Sequence, residues 1–264
     1  MFLWQWVQQH RFLSVLVLAF VILSSAGGTA WALVFRTVSS PVGLREAVRI
    51  YRREQTEKML ATLRNHLTPP GVYTYRTTGG EGLSLMGVAR AFPSSTSMIV
   101  TEGGCATVSW VPIAEHTEAT TLCTGADGAL SVPRLVTTES IASTNTTSTV
   151  QCPSTAYLLP PAALTGARWS AECSLRSPDE KVGFSGELLG RSTLPVGGST
   201  MTVEHTRLVL TYNGSESGTN PTDFWVVPST GLIVREKEEV GITSGGVRYS
   251  ENMEATLVGL TPAH

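Results

Sequence analysis

Charge is scarce in this chain of 264 residues: 15% are Asp, Glu, Lys or Arg, against roughly 25% in a typical soluble chain. The 42% hydrophobic content excludes extended disorder, which needs low hydrophobicity and high net charge. Cysteine is scarce too. The first of four is Cys105, so no cysteine stands just after the apolar N-terminal stretch and acyl anchoring through one is not expected. None of Cys105, Cys123, Cys152 and Cys173 stands in a Cys-x-x-Cys pair, which removes zinc-ribbon and thioredoxin-type readings. Catalytic motifs are missing as well. Gly183-Phe184-Ser185-Gly186 lacks the spacing of a nucleophile elbow, and there is no phosphate-cradling glycine loop with a lysine, no Ser-x-x-Lys and no His-Glu-x-x-His. No enzyme activity, no cofactor and no metal site is therefore expected.

A formal net charge of -2 hides a split at Pro70. Residues 1–70 carry eight Lys or Arg against three acids, while residues 71–264 carry the other eleven bases and eighteen acids. An acidic main domain repels phosphate backbones, so no nucleic-acid partner is expected.

Residues 12–35 contain no charge and are closed at the ends by Arg11 and Arg36. A helix of that length spans roughly 36 Å, enough for a hydrocarbon core of about 30 Å. Trp4, Trp6 and Trp31 suit the aromatic belts of a membrane anchor. The alternative is a signal peptide cleaved near Ser24-Ser25-Ala26 or Ala30-Trp31-Ala32, giving a secreted protein. For orientation, Arg36, Arg45, Arg49, Arg52 and Arg53 follow the run and Arg11 alone precedes it, which by the positive-inside rule places the main domain in the cytoplasm. Four cysteines, all in the acidic part, argue instead for two disulfides in an oxidising compartment. The expectation adopted is a single-pass protein with its main domain outside the cytoplasm, bonded Cys105–Cys123 and Cys152–Cys173. The turn-like centres of the two loops are placed at Val111-Pro112-Ile113 and Pro160-Pro161.

Residues 41–68 are expected to form an amphipathic stalk helix, opened by Ser40-Pro41 and ended by Thr68-Pro69-Pro70-Gly71. Its second half should pack on the domain and its first half stand clear. From Gly71 onward no helical period exists. Thirteen strand-like runs, from Val72–Thr78 to Val247–Val258, recur between Gly, Pro and Ser/Thr clusters. Short, regular connections predict a mostly β domain over 71–264, an antiparallel meander closing into a half-open barrel or a sandwich. Ser140–Thr149 is polar and of low complexity, and is expected to be a loop or an edge strand.

The last two runs are the most informative. Phe224-Trp225-Val226-Val227 and Leu232-Ile233-Val234 flank Pro228-Ser229-Thr230-Gly231, which is hairpin chemistry. In the final run Val247, Tyr249, Met253, Ala255 and Leu257 share one face, and the period of two is broken there only by Glu251. A carboxylate on an apolar face must be at a rim, paired, or placed for a ligand, because burying it alone costs several kcal/mol. Arg207 or Arg235 on neighbouring runs could pair with it. Glu251, Trp225, Phe224 and Arg235 are the candidate ligand-binding residues. Trp110, Trp169 and Phe184 are read as core aromatics. His116, beside Glu115 and Glu118, and His205, beside Glu204, are read as surface or turn positions. Adjacent residues of a strand face opposite ways, so Glu204 and His205 should not converge.

The run Phe224–Val227, its Pro228–Gly231 turn and the charged strand bearing Arg235 resemble the late strands of the lipoprotein-carrier superfamily, the LolA and LppX type. That resemblance covers about Thr200–Leu260 and implies a half-open antiparallel barrel wrapped on a helix, carrying acyl chains in an apolar concavity. More broadly the chain resembles uncharacterised secreted or membrane-anchored proteins of actinobacteria. The sequence therefore leads to a membrane-tethered, non-enzymatic β domain that binds an apolar, lipid-like ligand or a cell-envelope partner. The alternatives are a structural or protein-interaction module of the envelope and, third, a secreted hydrolase.

Overall fold

The computed structural model describes residues 39–58, 68–84, 87–103, 105–141, 144–162, 164–175 and 180–264. The apolar run at 12–35 and the second half of the expected stalk helix lie outside these residues. Among the described residues no helix is long and apolar enough to cross a membrane. Among these residues the helix α1 (Leu44–Lys58) precedes fourteen strands. These are β1 (Gly71–Leu83), β2 (Val88–Ala91), β3 (Ser95–Thr101), β4 (Ala106–Ile113), β5 (His116–Thr124), β6 (Leu130–Ile141) and β7 (Thr144–Gln151). There follow β8 (Tyr157–Leu159), β9 (Arg168–Leu175), β10 (Lys181–Val196), β11 (Ser199–Asn213), β12 (Glu216–Val226), β13 (Ile233–Ser244) and β14 (Val247–Leu257).

The strands pair as antiparallel neighbours in the order β14-β13-β12-β11-β10-β9-β7-β6-β5-β4-β3-β1, with β2 and β8 attached to the side. β14 pairs back onto β1 from Tyr75↔Leu257 to Leu83↔Tyr249, so the ring is closed. The meander expected from sequence is present, but the barrel is closed rather than half-open, because β1 is long enough to hold β3 with its first half and β14 with its second. Closure removes the exposed edges that an open sheet would present. The thinnest seam lies between β7 and β9, which share only Val150↔Leu175 and Gln151↔Ser174. Disulfides join Cys105 to Cys123 and Cys152 to Cys173, the second directly beside that seam.

Alternation along the strands builds two apolar layers on opposite faces of β1. Tyr73 and Tyr75 point into the barrel with Met253, Ala255, Leu257, Phe184 and Leu208. Val72 points outward and, with Ile99 and Val111, receives Val42, Ala47 and Tyr51 of the helix region. The first half of the expected stalk thus packs on the sheet rather than standing clear of it, because its apolar residues Ala47 and Tyr51 meet an outward apolar patch that the strands leave open. The Val111-Pro112-Ile113 segment is also not a turn. It ends β4, and the reversal falls at Ala114-Glu115. Ser140–Thr149 is strand at both ends: β7 pairs with β6 from Arg134↔Gln151 to Ile141↔Thr144. The Pro228–Gly231 hairpin is present, closed by Val227 and Leu232, with Gly231 at a positive φ of 70°.

Gly79 and Gly80 set the geometry of one end of the barrel. A Cβ on Gly79, whose φ is +115°, would overlap the Asn252 carbonyl of β14, and one on Gly80 would overlap the Arg90 carbonyl of β2. Only glycine lets β1 fit this tightly between both neighbours. The next residue is Glu81, which that squeeze places opposite both Arg90 and Glu251.

Candidate functional site

Among the described residues, the barrel interior gathers the carboxyl groups of Glu81, Glu118, Glu139, Glu236, Glu238 and Glu251 with the Arg90 guanidinium and the His116 imidazole. They come from β1, β2, β5, β6, β13 and β14, each at an inward position of its strand. Glu81 faces Glu251 across β1 and β14, and Glu139 faces His116 across β6 and β5.

His116 is fully enclosed, walled by the rings of Phe92 and Trp110. Its Nδ1 lies 2.8 Å from Glu81 Oε2 and its Nε2 lies 3.3 Å from Glu118 Oε1. Burial opposes a charge on the ring, but the bonds to Glu118 and Glu81 and the nearby Glu251 prevail and hold its pKa well above the ordinary value. Both ring nitrogens therefore donate, as an imidazolium requires. Burial pushes the Glu81 carboxyl upward, yet His116, Arg90 and Tyr249 together hold it below the usual range. Arg90 pairs with Glu81 and also donates to the Ser140 carbonyl at 3.1 Å, tying β2 across to β6.

Tyr249 supplies a proton count. Its Oη lies 2.8 Å from Glu81 Oε2 and 2.6 Å from Glu251 Oε2, but a phenol has one proton to donate. The two short contacts are both favourable when Glu251 is the protonated partner, donating to Tyr249 while Tyr249 donates to Glu81. The electrostatics agree. Burial first, then Glu118, drives the Glu251 pKa well above the carboxylate range despite the neighbouring His116. Glu238 is raised in the same way, by burial and then by Glu118, Glu251 and Glu236, although Asn220 Nδ2 donates to it at 2.6 Å. Glu236 is pushed up to about 8 by burial and then Glu118. Like charges this close in a poorly solvated interior cannot all ionise without a counter-charge.

Two adjoining cavities open beside the cluster. The outer, of about 260 Å³, is lined by Glu139, Glu216, Tyr249, Val240 and Ile242 among others. The inner, of about 70 Å³, is walled by Val150, Leu158, Phe184, Leu210, Phe224 and Ile233, with Glu236 and Glu238 at its side. Glu118, Thr137, Ser148, Tyr212 and Asn220 line both. Carboxyl groups thus line both cavities, and the inner one adds a broad wall of apolar side chains.

Glu251 and Phe224, expected at a ligand site, both face inward, and Phe224 lines the inner cavity. Trp225 and Arg235 belong to the opposite side of their strands. Trp225 stacks on His205 at 4.1 Å between ring centroids, Arg235 lies 4.6 Å above the indole, and Arg235 pairs with Glu254 at 2.9 Å. The expected set is therefore divided between inside and outside by the alternation of Phe224 and Trp225. Neither cation proposed for Glu251 reaches it, since Arg207 pairs with Asp223. His205 bonds Asp223 and Glu204 bonds Arg191, so those two neighbours diverge as expected. His116 is not a surface residue. Its strand phase, shared with the buried Leu122, carries it inside, and that phase was the available signal. Glu236 and Glu238 were hidden in the charged string 235–239, although Val234 and Val240 share their inward phase. Glu81 and Arg90 had no comparable signal.

No protein family model matches the chain, and no curated protein matches it. Among solved structures it is similar to the hypothetical lipoprotein YmcC from Escherichia coli (K12), with 14% identity over 82% of this chain and 96% of that one and a TM-score of 0.36. A likeness at that level fixes neither fold nor function.

Proposed function

We propose that the chain is a membrane-tethered, extracytoplasmic, non-enzymatic domain that holds an amphiphilic, lipid-like molecule inside its barrel. The observation that carries this reading is the apolar wall of the inner cavity, set beside carboxyl and hydroxyl groups that line both cavities. An amphiphile with a hydrogen-bond-donating or cationic head and an apolar tail matches the acids and the apolar wall together. The outer cavity of about 260 Å³ exceeds the roughly 150 Å³ that admits a benzene molecule. Two disulfides support an oxidising compartment, and the apolar run at 12–35 supports tethering there. The absence of catalysis is supported by His116, whose two nitrogens are both engaged by carboxylates and which lines neither cavity. Such a ring has no free site for proton transfer to a bound molecule.

The test is organic extraction of the full chain purified from host membranes, followed by mass spectrometry. An amphiphile recovered at near one-to-one ratio, and absent from a control membrane protein purified alongside, supports the reading. An extract holding only the lipids of the control, together with a barrel that takes up no added amphiphile, transfers the domain to the structural or protein-interaction class.

A further inference from the structure

We propose that Glu118, Glu238 and Glu251 form a binding site for a hard divalent cation of the calcium type inside the barrel. Each stands on a different strand, β5, β13 and β14, and one carboxylate oxygen from each lies within 4.8 Å of the other two. Convergence of acids alone would be weak ground. The second observation is that Glu238 Oε2 and Glu251 Oε1 are buried without any hydrogen-bond partner, on side chains only 3% and 4% exposed. A buried carboxyl oxygen is costly to leave without a partner. A cation among the three meets it.

The donors select the class of ion. All three are oxygen ligands, which favours hard cations over zinc or copper. Calcium binds oxygen at about 2.3–2.6 Å in irregular shells of six to eight ligands, so opposed donors up to about 5 Å apart suit it without a strict octahedron. Glu118 and Glu238 line the inner cavity, from which water can complete the shell. The neighbouring group of Glu81, His116 and Glu251 is a poorer candidate, because Arg90 and Tyr249 already occupy Glu81 and both His116 nitrogens are engaged. Glu251, shared by the two groups, contacts Tyr249 through one oxygen and has the other unpartnered; it gives up its proton to solvent when that oxygen takes the ion.

The test uses the full chain in detergent, stripped with a chelator and then titrated with terbium, whose emission is sensitised by nearby tyrosine, and with calcium as competitor. The expected result is saturable terbium emission displaced by calcium, and a calcium-dependent rise in unfolding temperature. Glu238→Gln and Glu251→Gln should each weaken binding by more than about tenfold, since even outer-sphere changes cost that much at many metal sites. Glu254→Gln, on β14 but paired outward with Arg235, should bind as the parent does. Gln keeps the shape of the neutral carboxyl that each residue presents without metal, so both interior variants should unfold near the parental temperature in the stripped protein, which separates lost binding from lost folding. Binding weaker than about 1 mM, or equal affinity in all four proteins, overturns the proposal.

Discussion

Replacing Arg90 by Met tests whether the enclosed ion network holds the end of the barrel together. The Arg90 and Glu81 side chains are each 1% exposed, and removing one partner of a pair this deeply buried costs about 3–5 kcal/mol. His116 and Tyr249 still contact Glu81, so the lower end, about 3 kcal/mol, applies. For a domain of this size that corresponds to a fall of roughly 6–12 °C in unfolding temperature. Glu81→Met should cost as much or more, because it strands a guanidinium whose remaining partner is the Ser140 carbonyl. The double variant removes both charges and should cost less than the two singles together, by a coupling of about 2–3 kcal/mol. Thermal and urea unfolding followed by circular dichroism, with the disulfides intact, measures all four corners. Additivity within about 0.5 kcal/mol, or a single-variant loss below about 0.5 kcal/mol, refutes the network.

Glu139 is pushed up to about 7, chiefly by burial, with Glu81 and Glu118 adding to the shift and His116 and Arg90 opposing it. The folded state therefore keeps this proton to higher pH than the unfolded chain, whose carboxyl titrates near 4.5. Its contribution is present in full below that value and declines as pH rises through about 7, by no more than about 1.4 kcal/mol per pH unit. Urea unfolding at pH 5 and pH 8 should show Glu139→Gln gaining relative to the parent at the higher pH, and an unchanged difference would contradict the assignment. Replacing Cys152 and Cys173 by Ser should cost about 3 kcal/mol and speed hydrogen exchange in β7 and β9 first, because only two residue pairs join those strands. Uniform acceleration around the ring would show that the seam is not a weak point. Phe224→Ala should weaken amphiphile uptake whereas Trp225→Ala should leave it unchanged, since the two side chains lie on opposite sides of β12. Equal losses would place the ligand elsewhere.

The barrel was largely legible because strands declare their phase. The β14 pattern of Val247, Tyr249, Met253, Ala255 and Leu257 is the inward face, and Glu251 sits on it buried, as its place in that pattern implies. Closure was not legible. It depends on β1 serving two neighbours through Gly79 and Gly80, and two glycines in a Gly/Thr-rich segment read equally well as a turn. The site was half legible for a related reason. One acid in an apolar strand stands out, but Glu236 and Glu238 alternate with Arg235, Lys237 and Glu239, so their strand looks like a solvated one. His116 beside Glu115 and Glu118 likewise resembled a polar turn, although Glu81 and Glu251, which join Glu118 around the buried imidazole, come from distant segments. A single strand shows which residues share a face; it does not show that four other strands bring acids to the same interior.

The account rests on the barrel interior accepting an amphiphile, and the most direct measurement is titration of the full chain with a fluorescent fatty amine. Leu210 lines the inner cavity, so Leu210→Trp fills that cavity at an overpacking cost of about 1–3 kcal/mol that leaves the ring closed. Saturable one-to-one uptake by the parent, lost in Leu210→Trp while the circular dichroism spectrum is retained, is the predicted result. Equal uptake by both proteins, or none by either, would contradict it.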